Sequence, residues 1–213
     1  MGMKRTVEML EEKCDPYVSS DGLISRKIFF DPSIYRDELE HVFAKSWLFL
    51  GHESQVSRPG DYFTNYMGED PVIIWCDTQQ NIRVFLNSCR HRGMRICRTD
   101  VGNTRNFTCP FHGWSYSSEG ELVGVPFLKE AYFGDLDRKK WGLFEVPCVK
   151  SYGGLLFANM DGESGSLDDF LGDLRWYLDI FLSRPLGKIQ VIAGRQKYSC
   201  KTNWKIAGEN FAG

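Results

Sequence analysis

The spacing of apolar residues changes twice along the chain. Residues 1–20 are polar and are expected to be loosely ordered. Asp31-Pro32 then opens a helix, a cap candidate followed by proline in the first turn. Ile34, Tyr35, Leu39, Val42 and Phe43 fall at helical spacing through about Lys45. From Trp47 short β-rich runs take over: 47–50, 61–66, 72–76 and 82–86. Gly60, Gly68 to Pro71 and Asp77 to Asn81 punctuate them as turns. Further strands are expected at 105–108, 122–125, 144–149 and 154–159. Ser166-Leu167-Asp168-Asp169 then reads as a capping-box variant. It opens an amphipathic helix bearing Phe170, Leu171, Leu174, Tyr177, Leu178 and Phe181. After Pro185, Ile189 to Tyr198 reads as a strand, and Asn203 to Ala207 begins another helix.

The pattern predicts an α+β organisation: an arm and helix at 1–46, an antiparallel β-rich domain at 47–160, and the start of something larger at 161–213. The last helix is still running at Gly213, so the chain reads as an N-terminal fragment.

Composition narrows the function class. The 213 residues include 42% hydrophobic and 14% aromatic positions, enough for a sizeable core. A formal net charge of −2 points to neither nucleic acid nor an anionic membrane as partner. No apolar run approaches a bilayer span, and Met1 to Thr6 lacks the apolar core of a signal peptide. That hexapeptide matches a loose acylation pattern, read as chance. Seven cysteines, an odd and scattered set, argue against a secreted disulfide scaffold. Cys14, Cys76, Cys97, Cys148 and Cys200 are expected as reduced thiols, and a cytoplasmic setting fits. The sequon Asn106-Phe107-Thr108 is dismissed on that ground.

Two short motifs carry the chemistry. Cys89-Arg90-His91 and Cys109-Pro110-Phe111-His112 form C-x-H and C-x-x-H pairs with seventeen residues between His91 and Cys109. Each pair offers one thiolate and one imidazole. This suits a [2Fe–2S] cluster of the Rieske type, in which two cysteines hold one iron and two histidines the other. Zinc is the competing reading, but Cys₂His₂ zinc sites commonly pair cysteine with cysteine and histidine with histidine. Two neutral imidazoles in place of two thiolates raise the reduction potential, to roughly −150 to +300 mV.

The flanking residues extend the reading. Asn87 to Met94 (N-S-C-R-H-R-G-M) and Cys109 to Tyr116 (C-P-F-H-G-W-S-Y) resemble the large subunit of Rieske aromatic-ring-hydroxylating dioxygenases. So do Gly60 to Phe63, Tyr66 to Val72, Asn203-Trp204-Lys205 and Glu209-Asn210-Phe211. The resemblance covers nearly everything from about residue 25. It implies that Cys89, His91, Cys109 and His112 hold the cluster, and that 161–213 opens an α+β catalytic domain. It implies electrons arriving through an NADH-dependent reductase and a ferredoxin. It implies a small β subunit, neighbouring α subunits, and a mononuclear Fe(II) that adds both atoms of O₂ to an aromatic substrate. The ligands of that second iron are not among these residues, so this stretch alone should accept electrons without hydroxylating. A stand-alone Rieske ferredoxin is the alternative. Respiratory Rieske proteins carry two extra cysteines and a serine around the cluster. Met94, Phe111 and Trp114 stand at the corresponding positions, and a potential at the low end of the range is expected.

Other residues read more plainly. Glu38-Leu39-Glu40-His41 spells a di-iron signature but lacks the second copy such a site needs, and is read as a solvated helix face. His52 is read as a hydrogen-bonded surface or boundary residue, and Trp114 as both shield and filler. Arg90 and Arg92 suit either an acidic ferredoxin or local salt bridges. Asp168, Asp169 and Asp173 are read as cap and solvated face.

Overall fold

The computed structural model describes residues 17–19, 21–183, 189–192 and 196–212. Cys14, Pro185 and Gly213 lie outside these residues. The described residues of 1–39 and 194–213 group into one compact unit, and those of 40–193 into another.

In the smaller unit, α1 (Pro32–Glu38) starts as its sequence demands. The Asp31 carboxylate accepts from the Ser33 N–H at 2.9 Å, and Pro32 occupies the first turn, where no N–H is needed. A π-helical turn, Leu39–Phe43, lies in the larger unit but for its first residue. The terminal helix, here α5 (Trp204–Ala212), runs as expected. Its Trp204 Nε1 donates to the Glu38 carboxylate at 2.8 Å, and Lys205 pairs with the same group. Glu38 of the E-x-x-H sequence is thereby engaged in an ion pair, with both side chains under one-fifth exposed.

Among its described residues the larger unit holds ten strands in three antiparallel sheets. Strands β1 (Leu48–His52), β10 (Leu155–Asn159) and β9 (Cys148–Tyr152) make one, in that order. Strands β4 (Ile82–Leu86), β3 (Asp70–Cys76), β2 (Asp61–Met67) and β5 (Val101–Asn103) make the second. Strands β6 (Asn106–Thr108), β7 (Ser115–Ser117) and β8 (Leu122–Gly124) make the third.

Strand β3 explains how these sheets share the interior. Its run Val72-Ile73-Ile74-Trp75-Cys76 is buried throughout, as a strand covered on both faces must be. Because side chains alternate, Val72, Ile74 and Cys76 enter a core with Leu50, Phe63, Leu156 and Ala158. Ile73 and Trp75 enter a second core with Phe107, Trp114, Tyr116, Cys89 and Cys109. Burying each large side chain contributes about 1.5–3 kcal/mol. The candidate cysteines are therefore part of a packed core.

Several expectations need correction. Pro71 is paired with Tyr66 inside β2–β3 and does not belong to the turn. The strand expected at 144–149 starts at Cys148; before it, Glu145 makes only an isolated bridge to Phe85. The helix opened by Ser166 breaks into α3 (Leu167–Leu171) and α4 (Leu174–Leu182), because Gly172 takes φ 48° and leaves the helical path. The Ser166 cap itself forms, accepting from the Asp169 N–H at 3.1 Å. No strand occurs among the described residues of 189–198. A short helix, α2 (Leu128–Tyr132), and strands β5 and β7 had no clear sequence signal.

Candidate metal centre

Both Cys-His pairs sit on loops that begin where a strand ends. The first follows β4, and the second fills the tip of the β6–β7 hairpin. Each loop closes on itself. The Cys89 N–H donates to the Met94 carbonyl and the Gly93 N–H to the Cys89 carbonyl, both at 2.8 Å. The Cys109 N–H donates to the Trp114 carbonyl at 2.7 Å and the Gly113 N–H to the Cys109 carbonyl at 3.0 Å. Gly93 (φ 70°) and Gly113 (φ 73°) take the left-handed conformation that lets each loop turn back.

The closures bring the candidates together in like pairs, Cys89 with Cys109 in the core and His91 with His112. The His91 and His112 rings meet through their Nδ1 atoms at 3.1 Å. Cys89 and Cys109 are buried at 3% and 2% exposure, while the two histidines are partly exposed. Burial pushes the Cys89 thiol up, and the neighbouring Cys109 adds to this. Burial, then the charges of His112 and Arg92, hold the His91 imidazole below its ordinary value. Both effects favour uncharged side chains. A bound cation would reverse that preference for the cysteines, because coordination stabilises thiolate, and would reinforce it for the imidazoles.

Two sulfurs on the buried side and two imidazole nitrogens on the outer side fit a two-iron centre with unlike ends. Among the described residues no three His, Cys, Asp or Glu side chains converge as a single-ion site would require.

Three surrounding residues were not legible as parts of the site. The Tyr116 hydroxyl lies 3.2 Å from Cys89 Sγ and accepts the Arg90 N–H at 3.0 Å. A backbone N–H can only donate, so the Tyr116 proton is free to point at the sulfur. Asn87 is 2% exposed. Its Oδ1 accepts from Ile96 N–H (3.0 Å) and Cys97 N–H (2.9 Å), and its Nδ2 donates to the Cys97 carbonyl (2.8 Å). Trp141 meets Trp114 edge-on at 5.8 Å, and Trp114 stacks on His91 at 4.9 Å and 12°. The stack accounts for the double reading of Trp114, which fills the core and covers one imidazole face.

The remaining candidates resolve otherwise. His52 is 7% exposed, so it is buried and not a surface residue. Its Nδ1 accepts from the Ser54 N–H at 3.1 Å and caps a short turn. Asp168 pairs with Arg175 at 3.3 Å, and Asp169 accepts from the Ser166 hydroxyl at 2.6 Å. No helix among the described residues is long and apolar enough to cross a membrane.

Comparison with known proteins agrees with this geometry. Residues 46–152 match the family model described as the Rieske [2Fe-2S] domain. The chain is 49% identical over 190 residues to the benzene 1,2-dioxygenase subunit alpha of Pseudomonas putida, covering 89% of this chain and 42% of that protein. It is 47% identical over 190 residues to the biphenyl 2,3-dioxygenase subunit alpha of Rhodococcus jostii (strain RHA1), covering 89% and 41%. The solved naphthalene 1,2-dioxygenase from Rhodococcus sp. bound to indole superposes with a TM-score of 0.84 at 41% identity, covering 98% of this chain and 46% of that one. The chain thus spans less than half the length of these relatives. It belongs to the Rieske [2Fe–2S] domain family.

Proposed function

We propose that this chain is the electron-accepting part of the large subunit of an aromatic-ring-hydroxylating dioxygenase. Cys89 and Cys109 would hold one iron of a [2Fe–2S] cluster, and His91 and His112 the other through Nδ1. The observation that carries this is the meeting of the two Nδ1 atoms at 3.1 Å beside two buried cysteines. The cluster supplies reversible one-electron storage when bound.

The chain's own residues have definable parts in that role. Asn87 and the paired strands β6 and β7 hold the loops in place. Tyr116 directs a proton at Cys89 Sγ and so favours added negative charge there. Trp114 excludes water from one face of His91. The partly exposed histidines are the edge through which charge would come and go.

In the whole protein, electrons would come from an NADH-dependent reductase by way of a ferredoxin. They would pass to a mononuclear Fe(II) that uses O₂ to make a cis-dihydrodiol from an aromatic substrate. A small β subunit and neighbouring α subunits would complete the assembly, in the cytoplasm. In this reading 1–46 is an arm, 47–160 the cluster domain and 161–213 the start of the catalytic domain. The likeness to three aromatic dioxygenases supports the subunit reading over a free-standing carrier.

The test is anaerobic purification followed by iron, acid-labile sulfide and zinc analysis, with EPR of the reduced protein. Two irons and two sulfides per chain with a rhombic signal are expected, lost in Cys109→Ser and His112→Ala. A colourless protein with one zinc per chain would end the proposal.

A further inference from the structure

Arg90 lies between two candidate ligands in sequence, yet no carboxylate neutralises it. Its guanidinium sits 3.7 Å over the Phe144 ring and 5.7 Å from the Trp141 ring. Its Nε is buried with no hydrogen-bond partner, and the side chain makes no ion pair among the described residues. The carboxylate next to Phe144 is engaged elsewhere, since Glu145 is held by Arg83 through two contacts at 2.8 and 2.6 Å. Two ties to β4 fix the ring beneath the guanidinium. The Leu86 N–H donates to the Phe144 carbonyl at 2.9 Å, and Glu145 bridges to Phe85. Strand β4 also leads into the loop of Cys89 and His91, so the cation and two candidate ligands are held from one strand.

This arrangement opposes folding. A buried donor without an acceptor is unfavourable, and so is a half-buried charge without a counter-ion. Stacking on aromatic rings offsets part of that loss but does not require the charge to be here. Covalent geometry does bind it here: consecutive Cα atoms lie about 3.8 Å apart, so Arg90 cannot leave Cys89 and His91. A cation that is close, fixed and walled by rings is poorly screened by salt. It favours any neighbouring state that carries one more negative charge.

We propose that Arg90 sets the reduction potential of the centre, as a fixed cation that stabilises the state holding one more electron. The proposal rests on the electron-accepting reading above and names a residue that decides how readily the electron is taken. In the step itself one electron leaves a donor, which is oxidised, and arrives at the centre, which is reduced. The net charge of the centre falls by one and no bond breaks. Arg90 acts only on that change of charge. Arg92 provides the contrast within the same loop: it flanks His91 on the other side but is exposed, so water and ions screen it.

The experiment uses the full chain loaded with its cluster. It is titrated with dithionite as electron donor at pH 7, at low and at high salt, and the reduced centre is read by EPR. Only EPR-active centres contribute, so partial loading does not bias the potential. Arg90→Gln should lower the reduced-to-oxidised ratio at a fixed potential about tenfold, which is about 59 mV for one electron. That shift should persist at high salt. Arg90→Lys keeps the charge and should stay nearer to wild type than Arg90→Gln does. Arg92→Gln should shift the ratio less than Arg90→Gln and lose its effect at high salt. Phe144→Ala removes a half-exposed ring, keeps the charge and frees it to solvent. It should shift the ratio the same way by about threefold and make the potential depend on salt. A ratio within twofold of wild type in Arg90→Gln would overturn the proposal; where that variant holds no centre, the same result in Phe144→Ala would do so. Equal shifts in Arg90→Lys and Arg90→Gln would also overturn it, because shape and not charge would then be at work. So would an Arg90→Gln shift that high salt abolishes. A wild-type protein with no reduced-state EPR signal would instead overturn the electron-accepting reading itself.

Discussion

The loop of Cys89 and His91 and the loop of Cys109 and His112 share one closure and differ in what holds them. In both, the cysteine N–H reaches a carbonyl five residues on, and a left-handed glycine returns a hydrogen bond to the cysteine. The second loop is the tip of a hairpin, so strand pairing sets its position: Thr108 faces Ser115, and their hydroxyls meet at 2.8 Å. The first loop leaves β4, and the next strand along the chain, β5, pairs with β2, not with β4. Where the second loop has a hairpin, that loop is pinned chiefly by the buried side chain of Asn87, through three hydrogen bonds to Ile96 and Cys97. The same ligand geometry can thus be built on a backbone ladder or chiefly on side chains, Asn87 with the Tyr116 hydroxyl that accepts the Arg90 N–H.

The largest test of this difference removes each anchor. Asn87→Ala would leave the Ile96 and Cys97 N–H groups buried and unpaired, at about 1–3 kcal/mol each. The full chain should lose about 5–15 °C in Tm and much of its cluster content. Asn87→Asp keeps the Oδ1 acceptor but sets a second oxygen against the Cys97 carbonyl that Nδ2 had served, so it should also destabilise. Thr108→Val removes one exposed hydroxyl pair from an intact ladder and should cost about 0.5–1 kcal/mol. Equal losses for Asn87→Ala and Thr108→Val, read by thermal unfolding and iron content, would erase the contrast.

The two glycines give a finer comparison. A Cβ on Gly113 would lie 2.8 Å from Pro126 Cγ, whereas one on Gly93 would find Ser88 Oγ at 3.8 Å. Both alanine variants meet the left-handed penalty of about 1–2 kcal/mol. Gly113→Ala adds about 1–3 kcal/mol of overpacking against a stiff ring. Chemical denaturation should therefore rank Gly113→Ala as the more damaging, and the reverse order would break the reading.

The loops also differ electronically. Tyr116 belongs to β7, on the second loop's hairpin, yet its hydroxyl serves Cys89 of the first. Tyr116→Phe deletes that donor and should lower the cluster potential by on the order of 40 mV, about 1 kcal/mol for one electron. Redox titration followed by EPR would read it, and an unchanged potential would remove Tyr116 from the site. The expectation of a low potential counted donors from the loop positions Met94, Phe111 and Trp114 alone. Tyr116 is a donor that count left out.

How much of this was legible follows from what each feature depends on. The ligand set and the cap at Asp31 are local in sequence, and the β3 run declares its burial by composition. Asn87 and Tyr116 act across 10 and 27 residues, and nothing in their immediate neighbours signals a partner that distant. The split at Gly172 was hidden because apolar spacing continues across it, although one residue at φ 48° ends the helix. Trp204 and Lys205 read as ordinary helix, and their tie to Glu38 spans 166 and 167 residues.

The smallest effect separates the loops by pH. Glu119, in the β7–β8 turn, accepts from the Thr78 hydroxyl at 2.7 Å and the Ser118 hydroxyl at 3.0 Å. It thereby ties the second loop's hairpin to the β3–β4 turn. Burial alone would raise this carboxyl, but the hydrogen bonds from Thr78 and Ser118 outweigh it and hold it down at about 2. A depressed carboxyl favours the folded state wherever the unfolded chain has ionised it. Its contribution is complete above the ordinary value of 4.5 and disappears as pH falls through about 2. Solvent screening keeps the amount near 1 kcal/mol or less. Glu119→Gln cannot ionise, so the Tm gap between wild type and this variant should hold steady above pH 5 and close by a few degrees towards pH 2. The gap between wild type and Asn87→Ala should show no such closure, because the amide has no proton to gain. Parallel closure of both gaps would mean that acid loosens the two loops together, and that their supports are not separate.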